Sequence, residues 1–335
     1  MAEFKSWKDS DRTKLKDVVP LDTPYTLLIE SSSLCNINCR YCAHSKHMSS
    51  IFEGNITKDI FNRVLHDAHE FPHKFKLVDM QTFGEPLCNP NLAEMITLVK
   101  KENITNRVGF ITNGLLFNKD RIDEILDSGV DTIRISLQGI DSSTYKKICG
   151  ANIDFDEFIE NLTYLYNQRG KCKIRMKIAD IAIDNIPDGK EKFESIFGPI
   201  SDSIFIEKII PIFQDVDYSD IDDSICQKAI NGRKNVEQKS IHKVCYWPFY
   251  RLRVTSNGKV TAACPDSPKD IVLGDINENS LVQIWNGEKR TNLLKTHLMG
   301  QRFSISSCHN CMLPNDIVNE SDILDPWADE ILKKF

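Results

Sequence analysis

The sequence predicts an α/β fold: a partial (β/α)6 barrel followed by a small C-terminal α+β domain. Three observations predict it. Strand-like and helix-like stretches alternate from residue 25 to residue 210. The candidate strands carry one apolar face and one polar face. From residue 245 the pattern changes to a hairpin and a helix. Regular alternation of strands and amphipathic helices implies a parallel sheet with crossover helices. About six such units stop short of a closed eight-unit barrel, so one side stays open and needs a cover.

The elements follow in order. Residues 1–24 form an N-terminal extension without an apolar signal core, and no apolar run approaches the ~20 residues that span a bilayer. The strands expected are Tyr25–Ser31, Lys76–Thr82, Arg107–Thr112, Asp131–Leu137, Lys173–Ile178 and Ser203–Ile210. Between them run ITKDIFNRVLHDAHEF, NLAEMITLVKKEN, KDRIDEILDSG, DFDEFIENLTYLYNQRG and KEKFESIFG, all helical in period. Asn118 or Asp120 opens the third helix and Gly129 closes it. In DTIRISLQ, Ile133, Ile135 and Leu137 share one face, and Thr132, Arg134, Ser136 and Gln138 share the other. Lys173, Arg175 and Lys177 likewise oppose Ile174, Met176 and Ile178. A sheet that curls would put the polar face in its lumen. Residues 211–244 read as a linker or active-site loop. In the last domain, 245–335, Asn257-Gly258 marks a hairpin turn, and SLVQIWNGEKRTNLLKTHLMG reads as one helix ended by Gly300. Trp247, Trp285 and Trp327 read as packing anchors there.

With 42 Lys+Arg against 48 Asp+Glu the net charge is −6, an ordinary soluble balance. It argues against non-specific nucleic-acid binding. A cytoplasmic enzyme with neither a nucleic-acid nor a membrane partner is expected. The eleven cysteines stand out. In a reducing compartment clustered cysteines point to soft-metal ligation rather than disulfides. Cys35, Cys39 and Cys42 form C-x3-C-x2-C directly after the first strand, where barrels place their chemistry. Three thiolates hold three irons of a four-iron cluster and leave the fourth open. A zinc ion would want a fourth ligand, for which His44 is nearest. Cys245, Cys264, Cys308 and Cys311 form a second set, a further candidate for soft-metal ligation such as a zinc ribbon. Cys88, Cys149, Cys172 and Cys226 stand alone and read as buried packing.

These motifs resemble the radical S-adenosylmethionine (SAM) superfamily. The resemblance implies a TIM-like partial barrel and a cluster whose open iron is chelated by SAM. The cleaved cofactor then yields a 5′-deoxyadenosyl radical. It further implies that Tyr41 lies against the adenine, and that Phe83-Gly84-Glu85-Pro86 stands for the family's Gly-Gly-Glu-Pro. Gly84 and Glu85 then receive the SAM ammonium, although Phe83 departs from the family pattern. Thr112-Asn113-Gly114 and Ser136-Leu137-Gln138-Gly139 are similar to two further stretches, with Asn113, Ser136 and Gln138 as SAM contacts. Where relatives carry Arg-Gly this chain has Cys149-Gly150, so Arg175 or Lys177 is expected to substitute. The cysteines after residue 245 resemble a SPASM/twitch extension with one auxiliary 4Fe-4S cluster, although the Gly258–Cys264 spacing is one residue long.

An auxiliary cluster suggests dehydrogenation of a sugar, nucleotide-sugar or cyclitol alcohol, since twitch-bearing relatives include an aminocyclitol dehydrogenase. An external electron donor such as flavodoxin or ferredoxin is implied. Candidates for the general base are Glu30, Asp79, Lys177, Asp180, Glu207 and Lys208. Two other readings stand beside this one. The first is maturation of a ribosomal peptide, against which the short stretch ahead of Cys35 counts. The second is epimerisation with Cys149, Cys172 or Cys226 as hydrogen donor.

Overall fold

The computed structural model describes residues 2–4, 12–46, 54–209, 240–264, 271–316 and 319–335. Ten strands form one sheet: β1 (Glu3–Phe4), β2 (Thr26–Ile29), β3 (Leu77–Asp79), β4 (Val108–Thr112), β5 (Thr132–Leu137), β6 (Lys173–Ala179), β7 (Ser203–Glu207), β8 (Arg251–Val254), β9 (Lys259–Thr261) and β10 (Val272–Asp275). Their spatial order is β1-β7-β6-β5-β4-β3-β2-β8-β9-β10. Strands β2 to β7 neighbour one another in chain order, every pair parallel. That is the partial barrel, with all six expected strands present.

The helices between them bury one stripe each. In α2 (Lys58–Ala68) Phe61, Val64, Leu65 and Ala68 are buried, the spacing of one helical face. The helix α3 (Leu92–Glu102) does the same with Leu92, Met95, Ile96 and Val99. Asn118 caps α4 (Lys119–Asp127) by accepting the Arg121 N–H at 2.8 Å. Gly129 stands at φ +80°, the left-handed conformation that closes a helix without steric cost. One helix was not foreseen, α5 (Ser142–Cys149), which precedes α6 (Phe155–Gln168) in the same crossover. The helix α7 (Gly189–Phe197) completes the set. Face alternation holds: Ile174, Met176 and Ile178 are buried, while Lys173 and Arg175 are exposed.

Three features differ from expectation. The hairpin at Asn257-Gly258 forms, with Gly258 at φ +85°, but it is not a separate sheet. Its first strand pairs parallel with β2, from Thr26↔Arg251 to Ile29↔Val254. The open edge of the barrel is therefore covered by backbone pairing. The expected single C-terminal helix is two, Leu281–Trp285 and Glu288–Leu298. Gly287 is extended between them, and a Cβ there would meet the Gln283 carbonyl oxygen at 2.9 Å. Trp285 is buried and donates to the Leu21 carbonyl, whereas Trp327 is substantially exposed. The N-terminal extension packs into the second domain: Leu15 and Val19 share a core with Leu294, Leu298 and Ile331. Residues 211–239 of the stretch expected as a linker, with Cys226, and Ile210 at the end of the last expected strand lie outside the described residues.

Candidate active site and auxiliary metal centre

The loops after β2 to β7 meet at one end of the sheet around a cavity of about 180 Å³. Its wall carries Cys35, Cys39, Tyr41, Cys42, Gly84, Glu85, Asn113, Ser136, Gln138, Lys177 and Glu207. Residues from Cys35 to Glu207 converge because each lies at or just after the carboxyl end of a neighbouring parallel strand.

The cysteine loop is held from several sides. The N–H groups of Asn38 and Arg40 donate to the carbonyls of Cys149 and Ile148 at the end of α5, both at 3.0 Å. The Asn113 amide donates to Asn36 Oδ1 at 2.8 Å, and the Glu85 N–H donates to the Leu34 carbonyl at 2.7 Å. Gly84 lies against this loop so closely that a Cβ would fall 2.3 Å from the Ser32 carbonyl oxygen. The family's second glycine is thus demanded by contact. The first is not, and Phe83 stands there with the Arg253 guanidinium 4.8 Å from its ring centroid.

Burial pushes the Cys35 thiol up to about 12. It pushes Cys39 well above its ordinary value, with the neighbouring Cys42, Cys149 and Cys35 adding to the effect. A bound cationic centre would displace the protons of such thiols and be held by the thiolates, as soft ligation requires. His44 turns Nε2 to the Ser33 carbonyl at 2.5 Å, so that nitrogen is engaged by the backbone. The Glu85 carboxylate accepts from the Leu87 N–H (3.0 Å), the Thr112 hydroxyl (2.6 Å) and the Asn113 N–H (2.7 Å). Burial nevertheless raises its pKa to about 7. The Tyr41 hydroxyl donates to Gln138 Oε1 at 2.5 Å, and Gln138 Nε2 donates to the Ser136 carbonyl at 3.0 Å.

Of the six base candidates, only Lys177 and Glu207 line the cavity, with Nζ and Oε2 2.5 Å apart. The other four are placed elsewhere. Buried Glu30 accepts from the Thr82 hydroxyl (2.5 Å) and from the Ser256 N–H (3.0 Å) and hydroxyl (3.1 Å). Asp79 pairs with Arg134. Asp180 Oδ1 accepts the N–H groups of Ile181 and Ile209, and Lys208 is exposed. Arg175 is also exposed, one pleat before Lys177 and short of the cavity. Only the carboxyl end of a parallel strand reaches the mouth, which separates Lys177 from Arg175. Gln81, Thr82, Thr112 and Ala179 line the cavity without having been singled out. Thr112 was legible, since it opens the Thr-Asn-Gly stretch. Cys149 and Cys172 are buried, and neither lines the cavity.

A second, smaller cavity of about 20 Å³ is lined by all four remaining motif cysteines, Cys245, Cys264, Cys308 and Cys311, with Trp247, His297 and Arg302. Burial, then the proximity of Cys308, Cys245 and Cys311, pushes the Cys264 thiol well above its ordinary value. Ala263, in the stretch one residue longer than the commonest spacing, stands at φ +58° beside it. The Arg253 guanidinium donates to the Cys264 carbonyl at 2.7 Å. Arg253 therefore bridges Phe83 of the first cavity wall and Cys264 of the second. Arg302 is 1% exposed and its Nε has no hydrogen-bond partner. A buried cation with an orphaned N–H beside four thiols fits a negatively charged group held by those thiols.

A partial barrel that gathers three thiols at its mouth, joined to a four-thiol centre, defines an iron–sulfur enzyme. Residues 29–178 match the radical SAM superfamily, and residues 245–312 match the iron–sulfur cluster-binding domain SPASM. The chain thus carries a radical SAM domain followed by a C-terminal SPASM domain. Its cofactors are SAM, a 4Fe-4S cluster and an auxiliary cluster. It is 23% identical, over 91% of its length and 92% of the relative's, to the tungsten-containing aldehyde ferredoxin oxidoreductase cofactor-modifying protein of Pyrococcus furiosus. Streptococcus suis SuiB superposes with a TM-score of 0.62 at 17% identity, covering 90% of this chain and 73% of SuiB. BtrN in complex with AdoMet and 2-DOIA superposes with a TM-score of 0.52 at 18% identity, covering 86% of this chain and 92% of BtrN. At such identities the likeness is one of fold. Among the described residues no helix is long and apolar enough to cross a membrane.

Proposed function

We propose that the protein is a dehydrogenase that oxidises an alcohol of a sugar, nucleotide-sugar or cyclitol. In this reading Cys35, Cys39 and Cys42 hold the SAM-binding cluster, and Cys245, Cys264, Cys308 and Cys311 hold the auxiliary one. The observation that carries the reading is the Lys177–Glu207 pair on the wall of the three-cysteine cavity. A closed four-thiol centre abuts that wall through Phe83 and Arg253. Four thiolates saturate a four-iron cluster and leave no iron for substrate, which suits an electron acceptor.

When bound, SAM and its cluster supply the radical that removes a hydrogen atom from a carbinol carbon, and the auxiliary cluster supplies the one-electron sink that completes a two-electron oxidation. The chain does the rest. Tyr41, Asn113, Ser136 and Gln138 hold the cofactor, and Gly84 and Glu85 receive its ammonium end. Lys177 takes the place expected of Arg175. Glu207 receives the hydroxyl proton, and the Lys177 ammonium stabilises the carboxylate that must accept it. Glu85 is the other carboxylate on the wall, but its two oxygens already take three hydrogen bonds. A flavodoxin or ferredoxin supplies the reducing electron.

The test uses the anaerobically reconstituted, reduced enzyme with SAM and carbinol-deuterated sugars, nucleotide-sugars and cyclitols. Deuterium should enter 5′-deoxyadenosine with formation of a carbonyl product. Glu207→Gln should still cleave SAM but lose about 10²-fold or more of product formation. Replacing Cys308 and Cys311 by Ala should likewise spare cleavage and block product. Full product from that variant, or deuterium transfer from a peptide instead, would sink the reading.

A further inference from the structure

Two side chains beside the auxiliary cavity have no part in the chemistry above. Both Arg302 and His297 are 1% exposed, and both line the cavity with the four cysteines. Arg302 Nη1 donates to the Cys311 carbonyl at 3.1 Å, and Nη2 donates to the Ser240 hydroxyl at 2.7 Å. Its Nε has no partner, and among the described residues no carboxylate pairs with it. A guanidinium this deeply buried, without a counter-ion from the chain, keeps an unanswered positive charge.

His297 presents a fixed donor. Its Nδ1 accepts the Cys245 N–H at 3.0 Å, so the ring proton sits on Nε2. That nitrogen lies 3.7 Å from Cys308 Sγ. A fixed cation and an N–H···S donor thus meet at the same four thiols.

We infer that Arg302 and His297 are positioning residues that raise the reduction potential of the auxiliary centre, fitting it to accept the substrate's electron. The inference rests on the reading of Cys245, Cys264, Cys308 and Cys311 as cluster ligands. Reduction adds one negative charge to the cluster. A buried cation and a donor to a ligating sulfur favour that more negative state. Scaffolding alone would instead show itself in iron retention and leave the potential where it is.

The test uses the full chain with Cys35, Cys39 and Cys42 replaced by Ala, so that only the auxiliary centre loads. About four irons and four sulfides per chain are expected. An EPR-monitored redox titration then compares this protein with Arg302→Met, Arg302→Lys, His297→Leu and His297→Gln added singly. Arg302→Met and His297→Leu should each move the one-electron equilibrium against reduction about tenfold, or 59 mV downward. Arg302→Lys keeps the cation and His297→Gln keeps a donor, so both should stay near the parent. Iron-loaded Met and Leu variants at the parent's potential would overturn the inference. So would loss of iron from both, which would make the pair scaffolding. A parent protein that takes up no iron would overturn the assignment of the four cysteines itself, and the inference with it.

Discussion

Glu85 shows how much a single buried carboxylate carries in this site. Three donors from β4 and its own loop pull its pKa down, while burial pushes it up to about 7 from an ordinary 4.5. With the folded pKa raised, its contribution to stability is complete below about pH 4.5 and is lost as the pH rises through 7. Thr112→Val removes the hydroxyl donor and raises that pKa further. At pH 8, where Glu85 is ionised, the change should cost about 1.5–3 kcal/mol, the worth of a hydrogen bond to a charged group. At pH 5, with the carboxyl protonated, the cost should fall to about 1 kcal/mol. Urea unfolding at the two pH values checks this, and equal losses at both would contradict it. None of it is legible in the motif Phe-Gly-Glu-Pro, which names the Glu and says nothing of its donors. The same holds for the base candidates. Glu30, Asp79, Lys177 and Glu207 look alike as charged residues near strand ends, and only the packed sheet shows which of them reach the cavity.

At the scale of elements, the cysteine loop depends on a glycine outside it. In Gly84→Ala the new methyl group would overlap the backbone of Ser32 to Leu34, and backbone cannot yield as a side chain can. The loop should shift and the three-thiol site should fail to load. Iron should drop from about eight to about four per chain, the complement of the auxiliary centre alone, with SAM cleavage lost. Asn118→Ala, which deletes the cap of α4, serves as control: about 1 kcal/mol of stability should go while iron stays. Retention of the full iron complement by Gly84→Ala would contradict the contact argument. The helices themselves were readable because apolar residues recur at 3.6-residue spacing. Their interruptions were less so. The run from Leu281 to Leu298 keeps a helical pattern, and a single glycine with a tertiary role breaks it in two. The helix α5, which ties down the cysteine loop through its last carbonyls, is short and mostly polar, so its pattern is weak.

Across the whole molecule, the sheet runs without a gap from β1 through the barrel into the hairpin. Glu30 fastens that junction, since it ends the first barrel strand and accepts from the hairpin turn at Ser256 and from Thr82. Glu30→Ala leaves buried donors without an acceptor, at about 1–3 kcal/mol for each. A loss of roughly 3 kcal/mol or more is expected from denaturant curves. Because β2 and β8 share a register, barrel and second domain should unfold together. Tryptophan fluorescence, to which Trp247, Trp285 and Trp327 of the second domain contribute, should then follow the same transition as far-UV circular dichroism. Two separated transitions would show the domains to be independent.

The amino-acid sequence alone determined the alternating α/β class, the six parallel strands and their polar and apolar faces. It also determined both sets of cysteines and the stretches that line the mouth. These are local properties: side-chain period, cap chemistry and ligand spacing are written within a few consecutive residues. The tertiary structure alone decided that the hairpin extends the barrel sheet, that Lys177 and not Arg175 faces the cavity, and that Arg302 and His297 converge on the four distant thiols. Each of those depends on which strand edge or buried volume remains for a residue once everything else has packed, and no short stretch of chain carries that information.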